Sequence, residues 1–156
     1  MSKRIYIIAI IIFIIDQITK CFISAYLKLN ESISIIKDFF YIRYINNTGA
    51  SWGILSNSKT LLIILSIIAI IIIIRYMNTF KNTKLNIICF GFLLGGITGN
   101  LCDRVLFGYV KDFLDFIIFH YDFPVFNIAD IFIVIGVLLL IISIIKGEDK
   151  SGSKSK

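Results

Sequence analysis

The sequence predicts a membrane all-α fold: a four-transmembrane-helix bundle with a small extracytoplasmic β-sheet and both termini in the cytoplasm. Three observations predict it. The 156 residues are 58% hydrophobic, with a mean hydropathy of +0.90, more apolar surface than a soluble domain of this size can bury. The apolar residues, mostly Ile, Leu and Phe, fall in four long runs and lack the alternation of a membrane β-barrel. Between two of the runs lies a short segment with strand character.

The first run covers about residues 5–27 and is interrupted by Asp16 and Lys20. Its start, Lys3-Arg4 before an apolar core with Ser24-Ala25 as a weak cleavage site, has the outline of a secretion signal; the two internal charges spoil that reading. Loop 28–59 follows. Its stretch 39–45, FFYIRYI, is rich in aromatic and β-branched residues and predicts a strand, and Asn46-Asn47-Thr48-Gly49 predicts a turn. The second run is about 60–77. The third, about 85–107, carries Gly91, Gly95, Gly96 and Gly99, which let a neighbouring helix pack closely. Loop 108–127 supplies more extended backbone at 110–119 and 123–126. A small sheet lying on the outer membrane face is expected, its aromatic residues suited to the interface. The fourth run is about 128–145. Each run approximates the 20 residues that cross ~30 Å of hydrocarbon as a helix. Residues 1–146 form one membrane domain, and the polar segment 147–156 is expected to be a disordered tail.

Charge orients the bundle. Lys3 and Arg4, then Arg75, Lys81 and Lys84, then Lys146, Lys150, Lys154 and Lys156 sit in short, dense segments. The other two loops are longer, with diluted bases. The positive-inside rule puts both termini in the cytoplasm and loops 28–59 and 108–127 outside. The net charge of +6 therefore serves topology and lipid headgroups, and no nucleic-acid partner is expected. Cys21, Cys89 and Cys102 show no CxxC and no even pairing; they read as small buried hydrophobes. With His120 the lone histidine, no zinc site is expected.

The polar residues within the runs converge. At a rise of about 1.5 Å per residue, Lys20 lies about 23 Å from the cytoplasmic end of its run, Asn100 about 23 Å and Asp130 about 24 Å. Asp16 is about a turn deeper; Asp103 and Arg104 are about a turn shallower and face different neighbours. Asp112 follows Asn100 by twelve residues, enough for the loop to fold back to this level. A carboxylate near hydrocarbon is costly and usually has a partner and a task. Two that meet can share a proton and activate a water, as in aspartic proteases. For Asp16, Lys20 and Asp103 a structural role is as well supported as a functional one, Asp16 and Lys20 standing at i, i+4. Arg104 reads as a partner for one carboxylate or for a substrate backbone. Three rival classes remain at this point. One is a small transporter or proton conductor, against which the apolar far halves of the last three spans speak. Another is a serine–lysine peptidase using Ser51 or Ser56 with Lys20. The last is a membrane scaffold.

Four motifs occur in order: Asp16-Gln17-Ile18-Thr19-Lys20; Asn47-Thr48-Gly49-Ala50-Ser51-Trp52-Gly53; Gly99-Asn100-Leu101-Cys102-Asp103-Arg104 with Gly108-Tyr109-Val110-Lys111-Asp112-Phe113; and Phe126-Asn127-Ile128-Ala129-Asp130. Together they resemble bacterial lipoprotein signal peptidase, or signal peptidase II, over nearly the whole chain. The resemblance implies an intramembrane aspartic endopeptidase of the bacterial cytoplasmic membrane. Such an enzyme cleaves diacylglyceryl-modified prolipoproteins before the lipidated cysteine. The catalytic pair maps onto Asp112 and Asp130, and supporting positions onto Asp16, Lys20, Asn47, Gly49, Gly99, Asn100, Asp103, Arg104, Asn127 and Ala129. It implies no metal or organic cofactor, contact with membrane lipids, and inhibition by globomycin-type cyclic peptides. One bundle can hold the entire site, so a monomer is expected. Two positions depart from the family pattern. Lys111 stands where many relatives are apolar, with a side chain that strand alternation turns away from Asp112; Ser51 replaces a common Ala. The rings of Trp52 and Phe113 either close the site against water or anchor the interface.

Overall fold

The computed structural model describes residues 2–49, 55 and 58–149. Among the described residues, four helices are long and apolar enough to cross a membrane: α1 Arg4–Tyr26, α2 Lys59–Tyr76, α3 Lys84–Leu106 and α4 Ile128–Ile145. At one end of the bundle the loops build an antiparallel sheet from β1 Ser32–Ile36, β2 Phe40–Asn47, β3 Val110–Ile118 and β4 Tyr121–Asp122, in the order β1-β2-β3-β4.

α3 is the hub. It packs on α1, α4 and α2, whereas α2 packs chiefly on α3. Its glycines make this possible. A Cβ on Gly95 would stand 2.7 Å from the Ala9 carbonyl oxygen of α1, and one on Gly96 2.6 Å from the Ala129 carbonyl oxygen of α4. Helices brought this close gain van der Waals contact, which drives helix association where lipid is as apolar as the helix surface. The apolar core, Ile5, Met77, Ile87, Cys89, Phe90, Leu93 and Leu94, fills the end away from the sheet. Isoleucines 7, 10, 11, 14 and 18 of α1 and 64, 67, 68, 71 and 72 of α2 are exposed, as lipid-facing residues should be.

Four details differ from expectation. β1 was not read from the sequence, and β2 continues through Asn46 and Asn47, so the predicted turn begins two residues late. Residues 147–149, assigned to the tail, fold back on the start of α3. Lys81 N donates to the Glu148 carbonyl at 2.8 Å, and Asn86 Nδ2 to Glu148 Oε2 at 3.0 Å. Asn86 bonds in turn to Ser143, both fully buried. A polar cluster thus sits in a region that reads as almost wholly apolar. Cys89 alone of the cysteines is buried; Cys21 is exposed on a helix face and Cys102 is half-buried.

The sheet is amphipathic. Its register aligns Ile33, Ile42 and Leu114, then Ile36, Phe40 and Phe116. Phe116 stacks on Phe40 and Phe126. Intervening rows are polar, such as Ser34, Tyr41 and Asp115. The β3–β4 turn places Phe119 and His120 at φ 51° and 64°, the two left-handed residues of a type I′ hairpin. Gly108, at φ +88°, ends α3 and turns the chain into β3, its N–H bonded to the Arg104 carbonyl.

Candidate active site

Asn127 caps α4. Its side-chain oxygen accepts from Asp130 N at 3.1 Å, and Asp130 Oδ2 accepts from Asn127 N at 3.1 Å. This reciprocal capping box satisfies two donors that a helix start leaves orphaned. It also fixes the Asp130 carboxylate at the positive end of the helix dipole. The other Asp130 oxygen accepts from Asn100 Nδ2 of α3 at 2.8 Å.

Asp112 arrives from β3. The register pairs Asn47 with Val110 and Ile45 with Asp112, so Asn47 and Asp112 are diagonal neighbours across the strands. Asn47 Nδ2 donates to Asp112 Oδ2 at 2.8 Å, and Asn127 Nδ2 donates to Asp112 Oδ1 at 2.6 Å. Asn127 therefore touches both aspartates. Asp112 is 1% exposed. Burial, reinforced by the neighbouring charge of Asp130, pushes its carboxyl up to about 7 against the pull of the two amide donors.

Beneath the pair lies a charged layer. Lys20 Nζ stands 2.8 Å from Asp16 and 3.3 Å from Asp103, and donates to Asn100 Oδ1 at 2.9 Å. Asp16 Oδ1 accepts from Ala129 N at 3.0 Å, which ties α1 to the first turn of α4. Asp103 Oδ2 accepts from Lys111 N at 3.1 Å, which anchors β3 one residue before Asp112. Lys20, Asn100 and Asp130, placed at one depth by helix rise alone, are thus joined directly. With its donors committed to these three partners, Lys20 is poorly suited to serve as the base of a serine–lysine pair.

The small residues are explained by clearance. A Cβ on Gly99 would lie 2.5 Å from Asp16 Oδ2, and Ala129 is fully buried where α3 crosses α4. Gly49 donates its N–H to Asn47 Oδ1 at 2.9 Å and accepts from Arg104 at 3.1 Å. Arg104 thus bonds a loop carbonyl, hydrogen-bonds neither aspartate among the described residues, and lies within electrostatic reach of Asp130 and Asp112. Its Nε is buried and has no hydrogen-bond partner among the described residues. Lys111 lays its ammonium 4.2 Å above the Phe107 ring, away from Asp112 as alternation requires. Phe113 is buried, so it is not an exposed interface anchor; Ser51, Trp52 and Ser56 lie outside the described residues.

Gln17, inside the first motif, also belongs to the site. Its Nε2 lies within hydrogen-bond distance of Asp16 Oδ2, the Gly99 carbonyl and Asp103 Oδ1. The available signal was its place beside Asp16 in the first motif.

A groove of about 230 Å³ opens beside the pair, between α2 and the α3–α4 face. Leu62, Leu65, Ser66 and Ala69 line it from α2; Ile97, Asn100 and Arg104 from α3; Ile133 from α4. It is apolar along most of its length and polar where it reaches Asn100 and Arg104, a shape suited to an apolar chain carrying one polar reacting group.

Known proteins match nearly the whole chain. A family model described as "Signal peptidase (SPase) II" matches residues 8–146. A "Lipoprotein signal peptidase" of Halothermothrix orenii is 40% identical over 138 residues, covering 88% of this chain and 92% of its own. One from Staphylococcus aureus strain MRSA252 is 41% identical over 152 residues, covering 96% and 91%. Among solved structures, a bacterial membrane enzyme determined in meso at 2.3 Å superposes with a TM-score of 0.83 at 40% identity, covering 97% of this chain and 92% of that one. A second, at 1.9 Å, superposes with a TM-score of 0.80, covering 91% and 92%.

Proposed function

We infer the function from one premise: this chain belongs to the signal peptidase II family, the lipoprotein signal peptidases, as a multi-pass membrane protein. On that premise we propose an aspartic endopeptidase that removes the signal peptide from diacylglyceryl-modified prolipoproteins, cutting before the lipidated cysteine. Asp112 and Asp130 are the catalytic pair. The observation that carries the reading is their shared contact with Asn127, next to a groove whose polar end is Asn100, the partner of Asp130.

The chemistry needs one ionised and one protonated carboxyl, a division that the buried Asp112 and the half-buried Asp130 enforce on each other. The pair titrates as a unit. The ionised member takes a proton from a water held between them. The resulting hydroxide attacks the scissile carbonyl carbon. The protonated member hydrogen-bonds the developing oxyanion, and a proton then passes to the leaving amine as the C–N bond breaks. Amide donors from Asn47, Asn100 and Asn127 orient the carboxylates at no cost of added charge. Burial keeps bulk water from competing with the one that reacts.

The distribution of Lys and Arg supports a topology in which the sheet end faces outward from the cytoplasmic membrane. The signal peptide then occupies the groove while the diacylglyceryl chains remain in the outer leaflet, and one protomer suffices. Globomycin-type cyclic peptides should compete at the pair.

The test is a gel-shift assay of a diacylglyceryl-prolipoprotein with purified protein in detergent. Wild type should release the signal peptide, and folded Asp112→Asn and Asp130→Asn should not. Cleavage by either variant at the wild-type rate would reject the pair. No cleavage by folded wild type would reject the peptidase assignment.

A further inference from the structure

Three amides surround the aspartates, and each has a defined direction. An amide end that faces a group able only to donate must be its oxygen. Asn47 is set by the backbone N–H of Gly49, Asn127 by the backbone N–H of Asp130, and Asn100 by the ammonium of Lys20 and the amide nitrogen of Asn127. With the oxygens so committed, the nitrogens of Asn47 and Asn127 face Asp112 and that of Asn100 faces Asp130. Two of the three amides are held by backbone groups that no substitution can titrate. Asn100 depends on two side chains, the Lys20 ammonium at 2.9 Å and the Asn127 amide at 3.1 Å, which is shared with Asp112.

We propose that Lys20 is a positioning residue for the aspartate pair: by occupying the oxygen of Asn100 it keeps that amide's nitrogen pointed at Asp130. It touches neither aspartate in doing so. Without it the Asn100 oxygen keeps only the longer bond from the Asn127 amide, and Asn100 can turn over and present its oxygen to Asp130, which would then have to carry a proton to make the bond. Lys20 is itself held by Asp16 on α1 and Asp103 on α3, while Gln17 braces both carboxylates. The other titratable groups within its electrostatic reach are Asp112 from β3, Asp130 from α4 and Cys102 from α3; Arg104 of α3 faces Asp130 and Asp112 in turn. Lys20, fully buried at 1% exposure, acts by direction rather than by net charge, because two carboxylates already surround it.

The inference rests on the peptidase reading for its consequence but not for its geometry, and two readouts separate them. The first is kcat/KM against pH on a diacylglyceryl-prolipoprotein. Lys20→Met should move the acidic limb upward by about one pH unit, a tenfold change in the protonation equilibrium. Asn100→Leu should do the same; it leaves Lys20 paired with both carboxylates and tests the lock from its other end if Lys20→Met does not fold. Lys20→Met should add no further displacement in the Asn100→Leu background, and Lys20→Arg, another donor-only cation, should keep the limb in place. The second readout needs no turnover: carboxyl ¹³C titration of aspartate-labelled protein, with Asp130 assigned by its loss in Asp130→Asn. Loss of rate with an unmoved limb and unmoved Asp130 titration in both single variants would overturn the proposal. Equal displacement by Lys20→Met with and without Asn100 would also overturn it, showing a through-space charge effect. A wild type that cleaves nothing sinks the peptidase reading alone; the carboxyl titration still decides on Lys20.

Discussion

Gly99 and Asp16 lie so close that a single methyl group cannot fit between them: a Cβ on Gly99 would stand 2.5 Å from Asp16 Oδ2 and 3.1 Å from its carboxyl carbon. That carboxylate cannot swing aside, because Lys20 and Ala129 N hold its two oxygens. Gly99→Ala should therefore cost about 1–3 kcal/mol, the usual range for overpacking a filled interior. A lowered unfolding temperature in detergent, together with reduced cleavage, is the expected outcome; an unchanged melt would mean α1 and α3 separate more easily than their packing implies.

Asn127→Asp separates capping from donation. Aspartate caps a helix as well as asparagine does, so α4 should still form. The new carboxylate, however, has no N–H to offer Asp112 and adds negative charge between two acids. Cleavage should fall by at least about 10²-fold, the scale of a lost catalytic donor, while circular dichroism keeps its helical signal.

Asp112 gives the protein a pH signature of definite sign. Its carboxyl is held at about 7 when folded, against about 3.9 for a free aspartate. Between those values the folded state binds more protons than the unfolded one. This contribution to stability is therefore present at low pH and lost as pH rises through about 7, with a slope approaching about 1.4 kcal/mol per pH unit. Comparing unfolding midpoints of wild type and Asp112→Asn from pH 4 to pH 8 isolates it: the wild-type curve should fall more steeply. Cleavage should likewise decline above about pH 7, as the pair loses its shared proton.

Glu148→Ala probes the far end. It removes the acceptor used by Thr83 Oγ1 at 2.6 Å and by buried Asn86 at 3.0 Å; the Asn86 amide keeps the Lys81 carbonyl, and its other N–H is left unsatisfied at a cost of about 1–3 kcal/mol. The melting temperature should fall while kcat and KM stay at wild-type values. A loss of turnover at unchanged stability would instead couple this cluster to the aspartates.

Helix periodicity and rise were legible in the sequence because both are local. They brought out the four spans and the common depth of Lys20, Asn100 and Asp130. The return of Asp112 to that depth depended on strand register, which the sequence signals weakly. β1 escaped notice although Ser32, Ile33, Ser34 and Ile35 alternate as a strand should, because the segment is short and wholly exposed. Gln17 and the Arg104–Gly49 bond were illegible for another reason. They join residues 82 and 55 positions apart, and no pattern along the chain encodes which amide will meet which carbonyl. The fold-back of 147–149 was hidden by its own composition: Gly, Glu and Asp read as tail until Asn86 and Thr83 are seen waiting for an acceptor.

The loose attachment of α2 has a kinetic consequence. Three helices, α1, α3 and α4, clamp one another around the site, while the fourth leans chiefly on the hub. The wall of the groove formed by α2 can then yield sideways without disturbing the carboxylates. A substrate anchored in the same bilayer would enter by sliding in the plane, never crossing water. For such an enzyme, volume concentration is the wrong variable. Turnover should follow the mole fraction of prolipoprotein among the lipids, so diluting vesicles with buffer should leave the rate per enzyme unchanged, and diluting the substrate with additional lipid should lower it.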